Sequence, residues 1–419
     1  MLDVELPVQW RWVTLGDVAD PKGRAIVSGP FGSNIGSRFF VEQGVPVIRG
    51  NNLTADMRRF VDDGFVFVTE EKAQELKNCE AVRDDLVFTA AGSLGQVGII
   101  PQHSRFPRYI ISNKQMRARV NKESVEPLFA FYWFSSPPMV EYVQQRNTGS
   151  SVPLINLSVL RSLPFPLPPR SEQCAIASVL GALDDKIELN RRMNETLEAM
   201  ARALFQSWFV DATQAGLPKS WREGKVSDLA TLSRDGLNPG EFPDEIFDHY
   251  SIPAFDEGRT PKPETGDTIK SNKFIVSPDC VLVSKLNPRI PRVWLPDLRG
   301  ENRAICSTEF LIMIPKPGVS REFLFCLFTN ESFISVFATM VTGTSGSHQR
   351  VKPESLLGMD AVIPPQSLIR SFTEMTAPLL ERVNHNIAES RTLAALRDPL
   401  LPKLLSGEIR VTKNNLLKW

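Results

Sequence analysis

Two segments of the chain place apolar residues at gaps of three and four over about 40 positions. The first runs from about Ser171 to Asp211 and the second from about Ser367 to Leu405. This spacing puts the apolar residues on one face of a helix, as in the seam of a coiled coil. A helix of about 40 residues is roughly 60 Å long, which is more than a single small domain covers. Each predicted helix therefore needs a partner of similar length.

Asparagine occupies corresponding positions in the middle of both apolar faces, as Asn190 and Asn386. A buried amide lowers stability unless it is paired, and a paired amide fixes the register of two helices. Two mid-helix asparagines meet most simply in an antiparallel pair, so we predict a pseudo-twofold seam formed by Leu183, Ile187, Asn190, Leu197, Leu379, Val383, Asn386 and Leu393. The alternative is that each asparagine faces solvent. Pro378 and Pro399 are expected to kink or end the second helix.

The regions before the two helices also resemble each other. The segment "WRWVTLGDVA" from Trp10 matches "WREGKVSDLA" from Trp221, and "LPPRS" from Leu167 matches "IPPQS" from Ile363. Because such matches keep their order, the chain is a tandem duplication of a unit of roughly 200 residues, too long for a solenoid repeat. Short β-rich runs such as "VPVIRG" and "CVLVSK" lie between Gly, Pro and Asn turns in each unit.

These patterns predict an α+β protein in which two similar mixed α/β domains are joined by two long antiparallel, coiled-coil-like helices. The predicted segments are residues 1–168 and 213–365 for the mixed domains, 169–212 and 366–410 for the helices, and 411–419 for a C-terminal tail. Such a pseudo-twofold frame would hold two similar surfaces at a fixed distance, as dimeric DNA readers hold two half-sites.

Composition narrows the possible functions. The chain is 42% hydrophobic and 23% charged with a formal net charge of zero, which is typical of a soluble globular protein and neither favours nor excludes DNA. Its longest apolar run, "LFAFYWF" from Leu128, is far shorter than the roughly 20 residues of a membrane helix. We find no signal peptide, so a cytoplasmic location is expected. The five cysteines and four histidines lack metal-ligand spacing, so no metal site is predicted.

We find no catalytic motif. The segment "SGPFGSNIGS" from Ser28 has the glycines of a phosphate-binding loop but no lysine, and "NPRI" from Asn287 lacks most of an amino-methyltransferase motif. This absence in a large duplicated protein favours a recognition component. Loops such as "VIRGNN" and "SKLNPRIPRVW" combine residues that bind phosphates and base edges of DNA. The alternative to DNA binding is that these residues are ordinary solvated surface charges, which is the expected role of most individual lysines.

Taken together, these segments resemble the specificity subunits of type I restriction–modification systems. The most typical are "SGPFGSNI", "VPVIRGNN", "PLPPRSEQCAIASVLGALDDKIELNRRMNETLEAMARALFQSWFVD" and "TLAALRDPLLPKLLSGEIRV". The resemblance implies two target-recognition domains that each read one half of a bipartite double-stranded DNA site in phage defence. It also implies spacer helices that dock two copies of a modification subunit, and a separate restriction subunit. Catalysis, with S-adenosylmethionine, ATP and magnesium, would belong to those partners and not to this chain.

The start of the second mixed domain differs strongly from that of the first, so we expect two different half-sites and an asymmetric target. The predicted DNA-binding residues are Ser28, Gly29, Phe31, Ser33, Asn34, Arg49, Asn51, Asn52, Ser93, Thr148, Ser150, Lys285, Asn287, Arg289, Arg292, Thr344, Gln349 and Arg350. Trp208 and Phe209 are either a partner surface or buried. A stand-alone divergent DNA methyltransferase or nuclease, and a scaffold that binds no DNA, remain as alternatives.

Overall fold

The computed structural model describes residues 5–54, 56, 58–149, 151–342 and 349–411. The chain divides into two compact units, of which the first comprises Met1–Lys186 with Thr392–Trp419 and the second comprises Ile187–Arg391. Each unit therefore combines one mixed α/β domain with a part of both long helices. In the described ranges, no helix has both the length and the apolar character needed to cross a membrane.

The first domain is built from short strands, as its apolar runs between turn residues predict. Its strands are β1 (Arg11–Thr14), β2 (Ile26–Ser28), β3 (Val45–Ile48), β4 (Val66–Val68), β5 (Glu80–Ala81), β6 (Leu86–Thr89), β7 (Val97–Ile99), β8 (Tyr109–Ile111), β9 (Gln115–Ala118) and β10 (Pro164–Leu167). The helices are α1 (Glu70–Glu75), α2 (Pro127–Ser135), α3 (Pro137–Gln144), α4 (Leu157–Arg161) and the long α5 (Arg170–Phe205).

The strands of the first domain form sheets in the orders β2-β9-β6-β7 and β4-β3-β8-β5, and β1 pairs with β10. Strands β3 and β8 are parallel. Val27 and Val87 of one sheet share a core with Val47 and Ile110 of the other. Helix α2 is buried on almost every side, which explains why the run "LFAFYWF" is apolar without any alternation.

The second domain has the strands β11 (Arg222–Lys225), β12 (Ala230–Ser233), β13 (Gly236–Leu237), β14 (Ile246–Tyr250), β15 (Lys262–Thr265), β16 (Lys273–Ile275), β17 (Val281–Ser284), β18 (Val293–Trp294), β19 (Arg303–Cys306), β20 (Phe310–Pro315), β21 (Val341–Thr342), β22 (Arg350–Val351) and β23 (Asp360–Ile363). Its helices are α6 (Val226–Leu229), α7 (Ile252–Asp256), α8 (Arg321–Thr329), α9 (Glu331–Thr339) and α10 (Pro353–Leu357), and the long α11 (Gln366–Ser406) follows.

The second domain repeats the topology of the first. The order β12-β20-β17-β18 corresponds to β2-β9-β6-β7, and β15-β14-β19-β16 corresponds to β4-β3-β8-β5, with β13 added beside β16. The central pair β14 and β19 is again parallel, and β11 pairs with β23 as β1 does with β10. The predicted duplication of a mixed α/β domain is therefore confirmed strand by strand.

The long helices run antiparallel in the first unit. Asp184 of α5 forms an ion pair with Arg397 of α11 at 2.7 Å, and Glu172, near the start of α5, binds Arg410 beyond the end of α11. The residue number therefore rises along one helix as it falls along the other. Leu401 of α11 lies in the same apolar core as the first turns of α5.

The helix segments of the second unit are antiparallel as well. Asn190 contacts Asn386, while the rings of Phe205 and Phe372 lie 6.0 Å apart. The predicted antiparallel pairing is thus confirmed inside each unit. Among the predicted seam residues, Asn190, Val383 and Asn386 are buried, and Leu183, Ile187, Leu197, Leu379 and Leu393 are half-buried.

The prolines of the second helix do not end it, which excludes one of the two effects that we expected, a kink or an end. Helix α11 continues through Pro378 and Pro399. Each proline removes one helical hydrogen bond, but Leu380 and Leu401, which follow them closely, are buried in the cores of their units. Tertiary packing of an apolar face stabilises helices more than intrinsic propensity does, and it outweighs the loss here.

The amides on the two helices form reciprocal hydrogen bonds. Nδ2 of Asn190 donates to Oγ of Ser390 at 3.2 Å, and Nδ2 of Asn386 donates to Oδ1 of Asn194 at 2.8 Å. Ser390 is the counterpart of Asn194 in the tandem repeat, so the two bonds are equivalent by the duplication. The asparagines face each other across the helix pair and not solvent, which specifies one register.

We predict that Asn386→Ala lowers the free energy of unfolding by about 1–3 kcal/mol, because it leaves the buried Oδ1 of Asn194 without its donor. The measurement is urea-induced unfolding followed by circular dichroism. His385→Ala, at an exposed position next to it on the same helix, is the matched control and should change the free energy by less than about 0.5 kcal/mol. Equal effects of the two substitutions would contradict the role of the amide.

Candidate nucleic-acid interface

Loops of the first domain converge on the turn between β8 and β9. The backbone N–H of Ser112 donates to the carbonyl of Ile48 at 2.9 Å, and the carbonyl of Gln115 accepts from Gly29 N–H at 2.9 Å. A Cβ atom on Gly29 would lie only 1.8 Å from the carbonyl oxygen of Ser112. The loops that follow β2 and β3 are therefore fastened to this turn by main-chain contacts.

A further loop pair lies beside the same turn. The carbonyl of Lys114 accepts from Ala90 N–H at 2.7 Å, Gly92 N–H donates to Pro153 at 2.9 Å, and Ile155 N–H donates to Ala90 at 3.0 Å. We call residues 28–34, 49–52, 90–93, 112–114, 147–149 and 151–154 the first loop cluster. Strands β2, β3, β6 and β8 all end at this edge of the domain, so the cluster forms one continuous surface.

The second domain builds a cluster with four of these main-chain bonds. The N–H of Ser307 donates to the carbonyl of Tyr250 at 3.0 Å, and the N–H of Lys285 donates to the carbonyl of Glu309 at 2.9 Å. The N–H of Asn287 donates to the carbonyl of Gln349 at 2.9 Å, and the N–H of Val351 donates to the carbonyl of Lys285 at 3.0 Å. We call residues 285–292, 307–309 and 349–351 the second loop cluster. Its bonds correspond one by one to those of Ser112, Ala90, Gly92 and Ile155 in the first domain.

One backbone position of the clusters requires a left-handed conformation. Gly92 has φ +100° and its counterpart Asn287 has φ +47°. Glycine adopts this region freely, and asparagine does so more readily than most other residues. The duplicated turn has thus kept its conformation with two different residues.

The side chains on the shared frame differ between the domains. The central turn carries Lys114 in the first cluster and Glu309 in the second. Glu309 holds the guanidinium of Arg350 at 2.9 Å, and this hydrogen bond raises the pKa of Arg350. The two surfaces therefore present different charges and hydrogen-bonding groups from the same backbone arrangement.

Most predicted residues of the first domain lie on its cluster. Seven of them are exposed to solvent, namely Ser28, Phe31, Ser33, Asn34, Asn51, Ser93 and Thr148. Gly29 and Arg49 are half-buried. Asn52 is buried, and its amide donates to the carbonyls of Val61 at 2.9 Å and Asp63 at 2.8 Å. Asn52 thus closes its own loop and offers no group to a ligand. Ser150 lies outside the described residues.

The predicted residues of the second domain also come together. Arg289 and Arg350 are exposed, and Lys285, Asn287 and Gln349 are half-buried. Arg292 is buried and forms two bonds to the carboxylate of Asp256, at 2.7 and 2.8 Å, so its guanidinium supports the fold. Thr344 lies outside the described residues.

Sequence reasoning missed the centre of the first cluster. Asn113 and Lys114 are exposed at the turn that joins the loops, but in the sequence they lie inside the basic run "RFPRYIISNKQMRAR" from Arg105. The triplet Ser-Asn-Lys after the apolar "YII" is a turn signal that could have located them. Which loops meet there depends on strand pairing, and a single sequence does not show that pairing.

The two aromatic residues near the end of α5 belong to the core. Phe209 is buried, and its ring lies 5.0 Å from Phe323 and 5.1 Å from Phe372. Trp208 packs against the same cluster. Of the two possibilities left open by the sequence, burial applies to Phe209.

Among the residues that the structure describes, no three or more His, Cys, Asp and Glu side chains lie together so that they could hold a metal ion. Burial raises the pKa of the Cys280 and Cys326 thiols to about 12. Such thiols stay protonated near neutral pH and behave as small apolar side chains.

Comparisons with known proteins all indicate similarity to type I restriction–modification specificity subunits. The family described as "Type I restriction modification DNA specificity domain" matches residues 7–199. The MjaIX specificity subunit of Methanocaldococcus jannaschii is 23% identical over 97% of this chain and 95% of its own. The HindI specificity subunit of Haemophilus influenzae is 25% identical over 72% of this chain and 81% of its own. The S subunit of a type I restriction–modification system from M. genitalium has the same fold, with a TM-score of 0.56, 14% identity and 96% of both chains covered.

We predict that Gly29→Ala lowers the free energy of unfolding by about 1–3 kcal/mol, because its Cβ would displace the turn at Ser112. Thermal and urea unfolding measure the effect. Gly50→Ala in the same cluster is the matched control, since a Cβ there meets no atom within 4 Å. If Gly29→Ala were as stable as Gly50→Ala, the close approach of the two loops would be wrong.

Proposed function

Because the chain belongs to the family of type I restriction–modification specificity subunits, we propose that its two loop clusters each read one half of a bipartite DNA site. The observation that carries this proposal is the main-chain frame that recurs in both domains with different exposed side chains. The chain is a non-catalytic subunit, and the methylation and cleavage reactions belong to its partners.

The chemistry of the clusters supports DNA recognition. Lys114 and Arg289 are exposed cations suited to phosphates, while Asn34, Asn113 and Gln349 carry amides of the kind that read base edges. Since the residues on the two frames differ, the half-sites differ and the full site is asymmetric. Asn52 and Arg292 are not part of the proposed contact surface, because both are engaged inside the protein.

The long helices support a second part of the proposal, the docking of modification subunits. Leu189, Met200, Met375 and Leu396 are about half exposed on α5 and α11, and exposed apolar surface is what a docking partner covers. Met200 and Leu396 occupy equivalent positions in the repeat, which favours two similar docking surfaces and two copies of the modification subunit. We propose that α5 and α11, which each contribute to both units, set the spacing between the half-sites.

The proposed roles of the subunits also determine where the cofactors bind. We propose that S-adenosylmethionine is bound by the modification subunits, and that ATP and magnesium are used with the restriction subunit. This chain would supply only the DNA contacts and the docking surfaces.

Replacing Lys114 by alanine should reduce the salt dependence of DNA binding. In the complex with modification subunits, the slope of log affinity against log salt should fall by about one, because one phosphate contact is lost. Fluorescence anisotropy at a series of salt concentrations measures the slope. Lys122→Ala removes the same charge beyond the other end of β9, where Lys122 pairs with Asp84 at 2.5 Å, and should leave the slope unchanged. Equal slopes for the two variants would count against a DNA-facing first cluster.

Exchange of the first domain should change half of the recognised sequence. We predict that replacing the residues before about Pro168 with those of a relative alters one half of the methylated motif and leaves the other half intact. Methylome sequencing of a strain that expresses the chimera with its partner subunits gives the answer. A motif in which both halves change together would contradict two separate readers.

A further inference from the structure

An aromatic side chain projects from the first loop cluster without packing against the protein. Phe31 is 85% exposed, although its loop is held in place. Gly29 N–H donates to Gln115 at 2.9 Å, and the guanidinium of Arg38 donates to the carbonyl of Ser33 at 2.7 Å. The exposure of the ring is thus a property of a fixed loop, and a ligand that covers the ring would gain its apolar surface.

Two side-chain amides lie close to Phe31, and the cations nearest to it, Arg38 and Lys114, lie outside residues 28–34. Asn34 and Asn113 are exposed, and a Cβ on Gly32 would lie 3.1 Å from Nδ2 of Asn113, so that amide lies against the Phe31 loop. Among the described residues, neither side-chain amide has a hydrogen-bonding partner within the protein. The loop from Ser28 to Asn34 contains no lysine or arginine.

We propose that Phe31 contacts the C5-methyl group of a thymine in the major groove, and that Asn34 or Asn113 reads the adenine of the same or the adjacent base pair. An A·T pair shows the major groove a methyl group beside the N6 and N7 positions that an asparagine amide can bind. A phenylalanine can also insert between base steps in the minor groove, and the experiment below distinguishes the two modes of contact. Phe31 is then a specificity-determining residue. This inference rests on the proposed function of the first loop cluster.

The test removes the methyl group from the DNA and the ring from the protein. Each thymine of the half-site read by the first domain is replaced in turn by deoxyuridine, and binding is measured for the complex of this chain with its modification subunits. The wild-type complex should lose roughly fourfold in affinity at one thymine, the effect of one buried methyl group.

The Phe31→Ala complex should bind the unmodified site roughly 10- to 100-fold more weakly and should lose nothing more with deoxyuridine at that thymine. Phe31→Leu, which keeps an apolar side chain, should retain part of the response. Deoxyuridine in the other half-site is the internal control and should affect all three proteins equally. Because Phe31 is exposed, the thermal unfolding midpoints of the free chains should be the same.

The proposal is overturned if no thymine of the first half-site responds, or if Phe31→Ala responds as strongly as the wild type. It is also overturned if 2-aminopurine in the half-site shows unstacking that depends on Phe31, since that result assigns the ring to a wedge between base steps. In each case the wild-type complex still recognises its bipartite site. Failure of the proposed function is different, because the wild-type complex would then show no sequence preference.

Discussion

Main-chain hydrogen bonds around one turn in each domain hold the loops that we propose to read DNA. Ser112 and its counterpart Ser307 donate to the carbonyls that end β3 and β14, while Lys114 and Glu309 accept from the loops that follow β6 and β17. Backbone groups form these bonds whatever side chains the loops carry. The constraint therefore leaves side chains free to diverge, as Lys114 and Glu309 have, while the loops keep their places.

The same principle of fixed geometry applies where the first domain meets its helices. Arg59, from the loop after β3, donates to Asp185 at 2.7 Å and to the carbonyl of Gly181 at 2.9 Å on α5. The hydroxyl of Tyr132 donates to Asp184 at 2.6 Å, and burial together with that carboxylate raises the pKa of Tyr132. These hydrogen bonds connect the loop after β3 and helix α2 to the same turn of α5, so they hold this domain on its helix segment in one orientation.

The sequence predicted the repeated architecture well, because repeated motifs and the spacing of apolar residues can be recognised without knowing which residues are in contact. It predicted the asparagine positions in the seam from spacing alone. It did not show that the second helix continues through Pro378 and Pro399, because packing outweighs helix propensity there. In the loops it did not separate exposed from engaged polar residues. Asn52 and Arg292 resemble Asn51 and Arg289 in the sequence, and only the folded loops show that the first two bind Val61, Asp63 and Asp256.

Hydrogen–deuterium exchange of the assembled complex tests most directly whether the two clusters read separate half-sites. With DNA that carries both half-sites, amides of residues 28–34 and 285–292 should both be protected relative to the complex without DNA. When one half-site is scrambled, we expect protection to fall in one of these segments and to persist in the other. Protection that falls equally in both segments, or that is absent from both with the intact site, would contradict two independent readers on a common frame.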